Sequence, residues 1–290
     1  MTEHGGTRPA ELTALGLTEA DILDLSVNVV PFEVHAGIRA AMAAWDPRPY
    51  PDPDGSEARS AIAKRFGLAP SRVILGNGAT ELLWTLFDAL VPRAVLVLEP
   101  TFAEFRAAAE AKGVPVLSVF DAEAAWPEIE GHLREVDAVY LTHPNNPTGA
   151  LAPLDRLEAW ARRHPDVLFI LDESFVTLSE AYPDLDRVLP ENVIRLRSLT
   201  KDYGLAGLRV GYAIGPAAWV ERMDAVRPRW TVNGLAQAVV PAALSAESEL
   251  GQVRTRLFRA RESLIASTRA AGFAARSSAT IYVLLDVGEA

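Results

Sequence analysis

From residue 73 onward, short apolar runs alternate with helical stretches, and this alternation determines the fold class. The runs show little polar alternation, which is typical of strands that are buried on both faces. Strands separated by helices indicate an α/β protein, in which a mostly parallel sheet lies between two layers of helices. The pattern predicts strands at 73–75, 94–98, 114–119, 138–142, 167–171, 193–196 and 208–214, and helices at 80–90, 102–112, 124–134 and 154–163.

The two ends of the chain do not follow this alternation. After about residue 230 the sequence predicts helices at 233–245 and 248–271 and a strand at 281–286. We therefore expect a large domain at 46–230 and a smaller, incomplete α+β domain built from both ends. Residues 1–45 would form an N-terminal arm and part of the small domain, and residues 231–290 would form the rest.

The composition excludes several classes of function. The net charge is −10, which opposes non-specific binding to nucleic acids and to anionic membranes. Cysteine is absent and the five histidines show no ligand spacing, so we predict neither disulfides nor a metal site. The N-terminus does not resemble a signal peptide, and the longest apolar runs have only the length of strands. We therefore expect a cytoplasmic protein.

Lysine is scarce, and one lysine stands beside groups that can bind an anion. The 28 basic residues include only three lysines, Lys64, Lys112 and Lys201. Lys201 has Ser198 three residues before it and Arg209 eight residues after it. An amine can lose its proton and form an imine with an aldehyde, whereas a guanidinium cannot. This arrangement indicates an aldehyde cofactor that carries a phosphate, as pyridoxal phosphate does; an ordinary surface lysine is the alternative.

A second candidate site is the segment 76–81, Gly-Asn-Gly-Ala-Thr-Glu, which lies between a predicted strand and a predicted helix. Free backbone N–H groups and the helix dipole at such a junction favour a phosphate. The segment also resembles a dinucleotide-binding fingerprint, but Glu81 stands where the third glycine should be. A tight turn without a ligand is the alternative.

Polar residues also follow two of the predicted central strands. The segment 144–149, Pro-Asn-Asn-Pro-Thr-Gly, predicts a rigid turn whose amides can reach a ligand, with a purely structural turn as the alternative. Asp172 and Glu173 end an apolar strand, where an unpaired carboxylate would be costly. A protonated pyridine nitrogen would be a suitable partner, and an arginine is the alternative. Strand ends of this kind form the ligand-binding edge of open α/β folds.

In their order along the chain, these motifs resemble those of the class I and II aminotransferases, the fold-type I enzymes of pyridoxal phosphate. The resemblance extends from residue 4 to residue 290. It implies that Lys201 forms the Schiff base and that Asp172 pairs with the pyridine nitrogen, and these two are the predicted catalytic residues. It implies further cofactor contacts from Asn146 at the phenolic oxygen, Phe102 on the ring face, and Gly78, Ala79, Thr80, Ser198 and Arg209 at the phosphate. Tyr50 would reach the cofactor phosphate of a partner subunit, which implies a homodimer with shared active sites.

Some positions narrow the resemblance, and others depart from it. The segments 4–6, 24–28, 50–52, 102–105 and 228–233 resemble those of threonine-phosphate decarboxylases, which serve cobalamin synthesis and are similar to histidinol-phosphate aminotransferases. Phe175 replaces a tyrosine that many members carry, and Val30 replaces an asparagine usual in both groups. His4 and Asn28 are candidates for binding a substrate phosphate; packing of the arm against the partner subunit is the alternative.

The motifs around the cofactor do not determine the reaction. The bond at the substrate Cα that lies perpendicular to the cofactor ring is the one that breaks, and the residues that hold the substrate determine which bond this is. Loss of the carboxylate gives decarboxylation, and loss of the Cα proton to Lys201 gives transamination. We expect first the decarboxylation of threonine phosphate, and as the alternative amino transfer of the histidinol-phosphate type. The family's carboxylate-binding arginines are expected beyond residue 290, so cofactor binding without turnover is a third possibility.

Overall fold

The computed structural model describes residues 5–120 and 122–288. Within these residues the α-helices are α1 Pro9–Leu15, α2 Ala36–Ala44, α3 Ser56–Phe66, α4 Ala79–Leu90, α5 Glu104–Ala111, α6 Ala122–His132, α7 Leu154–Arg163, α8 Leu199–Asp202, α9 Ala217–Val226, α10 Gly234–Ser245 and α11 Leu250–Ala270. The strands in the same part of the chain are β1 Val73–Gly76, β2 Val95–Glu99, β3 Val116–Phe120, β4 Ala138–Thr142, β5 Leu168–Asp172, β6 Val193–Ser198, β7 Gly211–Ile214, β8 Ala274–Ala275 and β9 Leu285–Asp286. No helix in these two ranges is both long and apolar enough to cross a membrane.

Seven strands form the central sheet in the order β1-β7-β6-β5-β4-β2-β3. The strands from β3 to β6 pair in parallel, whereas β7 runs antiparallel to both of its neighbours, β1 and β6. The predicted mostly parallel sheet is therefore confirmed. Strands β8 and β9 form a separate antiparallel pair.

Alternate residues of the central strands face opposite layers of helices. Tyr140 and Ile170 belong to a buried cluster with apolar residues of α4, α5 and α9. Val139 and Phe169 belong to a second cluster with residues of α6 and α7, on the other face. Because burial of a large apolar side chain contributes about 1.5–3 kcal/mol, two buried faces explain why the strands are almost continuously apolar.

Both ends of the chain contribute to a third cluster, which covers β1 and β7. Ile38 of α2, Ile62 of α3 and Val239 of α10 are fully buried against these two strands. Helices α2 and α10, which come from the two predicted flanks, therefore pack against the sheet. The division of the chain at residues 46 and 230 stays a prediction.

Two predicted strands are shorter than expected by three residues or more, and local contacts explain both. Strand β7 begins at Gly211 because residues 206–208 form a 3-10 turn and Arg209 has a left-handed φ of 55°. The predicted strand at 281–286 pairs only through its last two residues. The chain just before it bonds elsewhere, since Ala279 N–H donates to the carbonyl of Gly149 at 3.0 Å.

Candidate active site

A cleft opens at the carboxyl ends of the central strands, where the predicted motifs meet. The cleft has a volume of about 500 Å³, part of it open to solvent. Its walls come from the loop after β1, the turn after β4, the end of β5, and the β6–α8 junction. The residues that line it are Gly78, Ala79, Thr80, Phe102, Thr142, Pro144, Asn146, Asp172, Ser174, Phe175, Ser198, Thr200, Lys201 and Arg209.

This lining brings together every cofactor contact predicted from the sequence, with one exception. Tyr50 does not line the cleft; its side chain is 87% exposed, and its ring lies 5.6 Å from that of Trp230. Asn28 is half-buried outside the lining. His4, the other predicted substrate contact, lies outside the described residues.

Asp172 ends β5 with its carboxylate facing the cleft and held on both oxygens. Tyr140 donates its hydroxyl to Asp172 Oδ2 at 2.8 Å, and Ser174 donates its backbone N–H to Oδ1 at 2.9 Å. The Tyr140 ring is fully buried and stacks on Phe105, with centroids 4.4 Å apart. These contacts fix the carboxylate in position.

Lys201 lies on α8, directly after β6, with its amine in the cleft. The Nζ atom donates to Thr200 Oγ1 at 3.2 Å and lies 5.8 Å from the centroid of the Phe175 ring. Burial lowers the pKa of Lys201, the charge of Asp172 raises it, and the charge of Arg209 lowers it further. The net effect is a lowered pKa for Lys201, so a larger fraction of this amine is neutral near pH 7 than of an exposed lysine.

The other end of the cleft can hold an anion. Ala79 and Thr80 begin the twelve-residue helix α4, whose first N–H groups have no partner within the helix. Gly78 has a φ of +80°, and a Cβ atom built on it would lie 2.7 Å from Arg209 Nη2. Glycine therefore lets the guanidinium lie against the start of α4, where a phosphate would find both charge and N–H donors.

The turn after β4 is held rigidly by hydrogen bonds of Asn145, and this positions Asn146. The Asn145 side chain donates to the carbonyl of Pro100 at 2.9 Å and to Thr148 Oγ1 at 2.8 Å. Its backbone carbonyl accepts the hydroxyl of Tyr282 at 2.7 Å. The next residue, Asn146, lines the cleft.

The sequence offered two explanations for the carboxylates at the end of β5, and each applies to one residue. Glu173 points away from the cleft and is fully buried in an ion pair with Arg195, at 2.7 Å, and with Arg197, at 2.9 Å. The charges of Arg197 and Arg195 hold the pKa of Glu173 low against the effect of burial. Asp172 has no such arginine pair among the described residues and faces the cleft.

Two tyrosines of the site were not found from the sequence. The sequence pattern predicts only that Tyr140 lies in a strand. A buried tyrosine needs a partner for its hydroxyl, and this requirement is the signal that points to a polar neighbour. Tyr282 packs edge-on against Phe175, with centroids 5.0 Å apart. Its position depends on a contact between residues 137 apart in sequence, which no local pattern predicts.

Comparisons with known proteins identify relatives of this chain. Residues 20–290 match the family described as aminotransferase class I and II. Histidinol-phosphate aminotransferase from Lactiplantibacillus plantarum is 32% identical over 244 residues, which are 79% of this chain and 68% of that protein. Threonine-phosphate decarboxylase from Salmonella typhimurium is 32% identical over 253 residues, which are 83% of this chain and 70% of that protein.

A solved structure shares the fold. The crystal structure of histidinol-phosphate aminotransferase from Sinorhizobium meliloti, in complex with pyridoxal-5'-phosphate, has a TM-score of 0.80 and 26% identity. The match covers 91% of this chain and 75% of that chain. The family resemblance, the fold type and the family's cofactor, each predicted from the motifs, are confirmed.

Proposed function

Because this chain belongs to the class I and II aminotransferase family, we propose that it is an enzyme that uses pyridoxal phosphate to transform a phosphorylated amine or amino acid. One observation carries the proposal. A half-buried lysine amine, a fixed carboxylate and an anion-binding helix start line a single cleft, and they come from segments far apart in sequence. This set matches the aldehyde, the ring nitrogen and the phosphate of the cofactor, one group for each.

In this proposal the chain's own residues position the cofactor and handle protons. Arg209, Ser198 and the N–H groups at the start of α4 bind its phosphate, and Asn146 and Phe102 contact its ring. Asp172 would hold a proton on the ring nitrogen, and the hydroxyl of Tyr140 holds that carboxylate in position. Bound in this way, the cofactor supplies an electron sink for the bond that breaks. Lys201, whose pKa is lowered by burial, can accept a proton at its Nζ atom.

We propose amino transfer of the histidinol-phosphate type as the first reaction, which reverses the order that the motifs alone favour. Relatives such as those from Lactiplantibacillus and Sinorhizobium carry this name. Decarboxylation of threonine phosphate is the second candidate, supported by the segments 4–6 and 228–233 and by the 32% identity to the Salmonella protein. Both candidates have a phosphorylated substrate.

Two assays with the purified holoprotein separate these candidates. One contains histidinol phosphate with and without 2-oxoglutarate, and the other contains threonine phosphate alone; products are identified by mass spectrometry. Turnover that requires the keto acid supports amino transfer, and carbon dioxide released without a keto acid supports decarboxylation. If the cofactor band stays unchanged with both substrates, the protein binds the cofactor without these reactions.

We also propose a homodimer in which Tyr50 reaches the partner subunit's cofactor. Tyr50 is 87% exposed in the single chain, so its side chain is free to contact a partner subunit. So do the strongly exposed apolar side chains of the N-terminal arm, Leu15, Leu23 and Leu25. Light scattering should give about twice the mass of one chain, and a monomer at micromolar concentration would contradict the proposal.

A further inference from the structure

The segment 76–81, which we call the glycine turn, packs closely against the sheet because two glycines leave room for it. Gly78 leaves space for the guanidinium of Arg209. On Gly211, at the start of β7, a Cβ atom would lie 2.6 Å from the backbone nitrogen of Ala79. The start of α4 therefore rests directly on the sheet. These close approaches limit movement of the turn toward the sheet, and other contacts must limit its movement away from the sheet.

Glu81 connects the glycine turn to the helix that follows it. Its Oε2 atom accepts the backbone N–H of Asn77 at 3.3 Å, and its Oε1 atom accepts the hydroxyl of Thr85 at 2.7 Å. A carboxylate in the first turn of a helix is favoured by the helix dipole. Glu81 also follows Thr80, which lines the cleft, so its negative charge opposes an anion there unless a cation balances it.

Arg227, directly after α9, supplies that cation and also holds the strand before the turn. Its side chain is 9% exposed; its Nη1 atom donates to the backbone carbonyl of Leu75 and lies 3.9 Å from Glu81 Oε2. Its Nη2 atom pairs with Asp224 Oδ1 at 2.8 Å, and Asp224 in turn pairs with Arg59 at 3.1 Å. The guanidinium therefore spans the two ends of the glycine turn, and Asp224 fixes its orientation.

A second arginine of the same region contacts the opposite end of α4. Arg222, on α9, donates from its Nη2 atom to the backbone carbonyl of Ala89 at 2.9 Å. Its guanidinium lies 4.3 Å from the centroid of the Trp219 ring. Ala89 is in the last turn of α4, whereas the glycine turn leads into the first. Helix α9 and the residue after it therefore place one arginine at each end of α4, and Arg227 is at the end where an anion would bind.

We propose that Arg227 is a positioning residue that acts with Glu81 to hold the glycine turn in the shape that binds the phosphate of the cofactor. Its role at the phosphate rests on the proposed function. Arg227 is not among the residues that line the cleft, so it acts through the turn: it fixes the carbonyl before Gly76 and balances the charge of Glu81. The N–H groups at the start of α4 then already point at the phosphate position, and binding requires no rearrangement of the turn.

Binding of two aldehydes separates this role from a general contribution to stability. The cofactor-free full-length chain is titrated, with absorbance detection, with pyridoxal phosphate and with pyridoxal, which lacks the phosphate. In Arg227→Met the dissociation constant for pyridoxal phosphate should rise about tenfold, which corresponds to the weakening of one hydrogen bond to a charged group. The constant for pyridoxal should stay at its wild-type value. An unchanged constant for pyridoxal phosphate, or equal losses for both aldehydes, would overturn the proposal.

Arg222→Met is the matched control, because it also removes an arginine that donates to a backbone carbonyl of α4. It should leave both constants unchanged, and a loss equal to that of Arg227→Met would refute a specific role at the glycine turn. Arg227→Lys separates geometry from charge, since lysine keeps the charge but not the planar fork. This variant should also bind pyridoxal phosphate more weakly, and wild-type affinity would refute the positioning role. If Arg227→Met does not fold, Arg227→Lys decides the question alone.

Hydrogen exchange tests the restraint on the turn without any cofactor. Mass spectrometry of cofactor-free Arg227→Met should show faster exchange than in the wild type for the peptide that spans 75–82, with an unchanged rate at 86–91, the far end of α4. Wild-type exchange across 75–82 would contradict the restraint by Arg227. If the wild-type chain binds neither aldehyde, the proposed function fails, and the exchange result still decides whether Arg227 holds the turn.

Discussion

Replacing Tyr140 with phenylalanine removes one oxygen atom from the support of Asp172. The hydroxyl donates to Oδ2 at 2.8 Å, and Tyr140 and Asp172 are 0% and 5% exposed, so water cannot easily replace it. A hydrogen bond to a charged group contributes about 1.5–3 kcal/mol. Phenylalanine keeps the ring stacked on Phe105, so little packing is lost. We expect Tyr140→Phe to lower the free energy of unfolding by about 2 kcal/mol.

Urea unfolding of the cofactor-free protein at pH 7.5 measures this loss. Tyr282→Phe is the matched control, because that hydroxyl donates to a neutral backbone carbonyl, and about 1 kcal/mol is expected there. In an Asp172→Asn background the loss from Tyr140→Phe should also fall to about 1 kcal/mol, since the acceptor is then neutral. Equal losses in both backgrounds would refute a charge-assisted bond.

Three further predictions follow from the cleft and its surroundings. Lys201→Ala should give a folded protein that lacks the visible absorption band of the bound cofactor; a yellow variant that borohydride reduces would refute the assignment. Gly78→Ala should cost about 1–2 kcal/mol of stability and weaken cofactor binding, because its φ is +80° and the added Cβ meets Arg209; unchanged binding in an absorbance titration would contradict this. Burial lowers the pKa of His143, so the folded state binds its proton less readily than the unfolded state does. Stability should therefore fall as the pH drops below about 6.5, and His143→Gln should flatten that part of the urea-unfolding profile.

The sequence predicted the parts of the site that local patterns determine. The glycine turn at 76–81 and the proline-bounded turn at 144–149 each follow a strand, as expected. Asp172 ends its apolar strand, also as expected. Parallel strands then bring these ends together, so the cleft follows from the topology. Lys201 could be distinguished because the chain has only three lysines, and the other two suit helix surfaces.

The parts that the sequence did not predict depend on contacts between distant residues. Nothing near Tyr140 in the sequence indicates that its side chain points toward Asp172. Strand β7 is short because Arg209 has a left-handed backbone conformation. The apolar residues around it predict a longer strand and give no sign of this conformation. Glu173 and Asp172 are adjacent and chemically alike, and only the strand's alternating faces decide which one meets the arginines.

Reduction of the holoprotein with borohydride, followed by peptide mass spectrometry, tests the central claim most directly. The reduced cofactor should be found on the peptide that contains Lys201, with Lys64 and Lys112 unmodified. Label on either of those two lysines, or no label on a protein that had bound the cofactor, would contradict the assignment of Lys201.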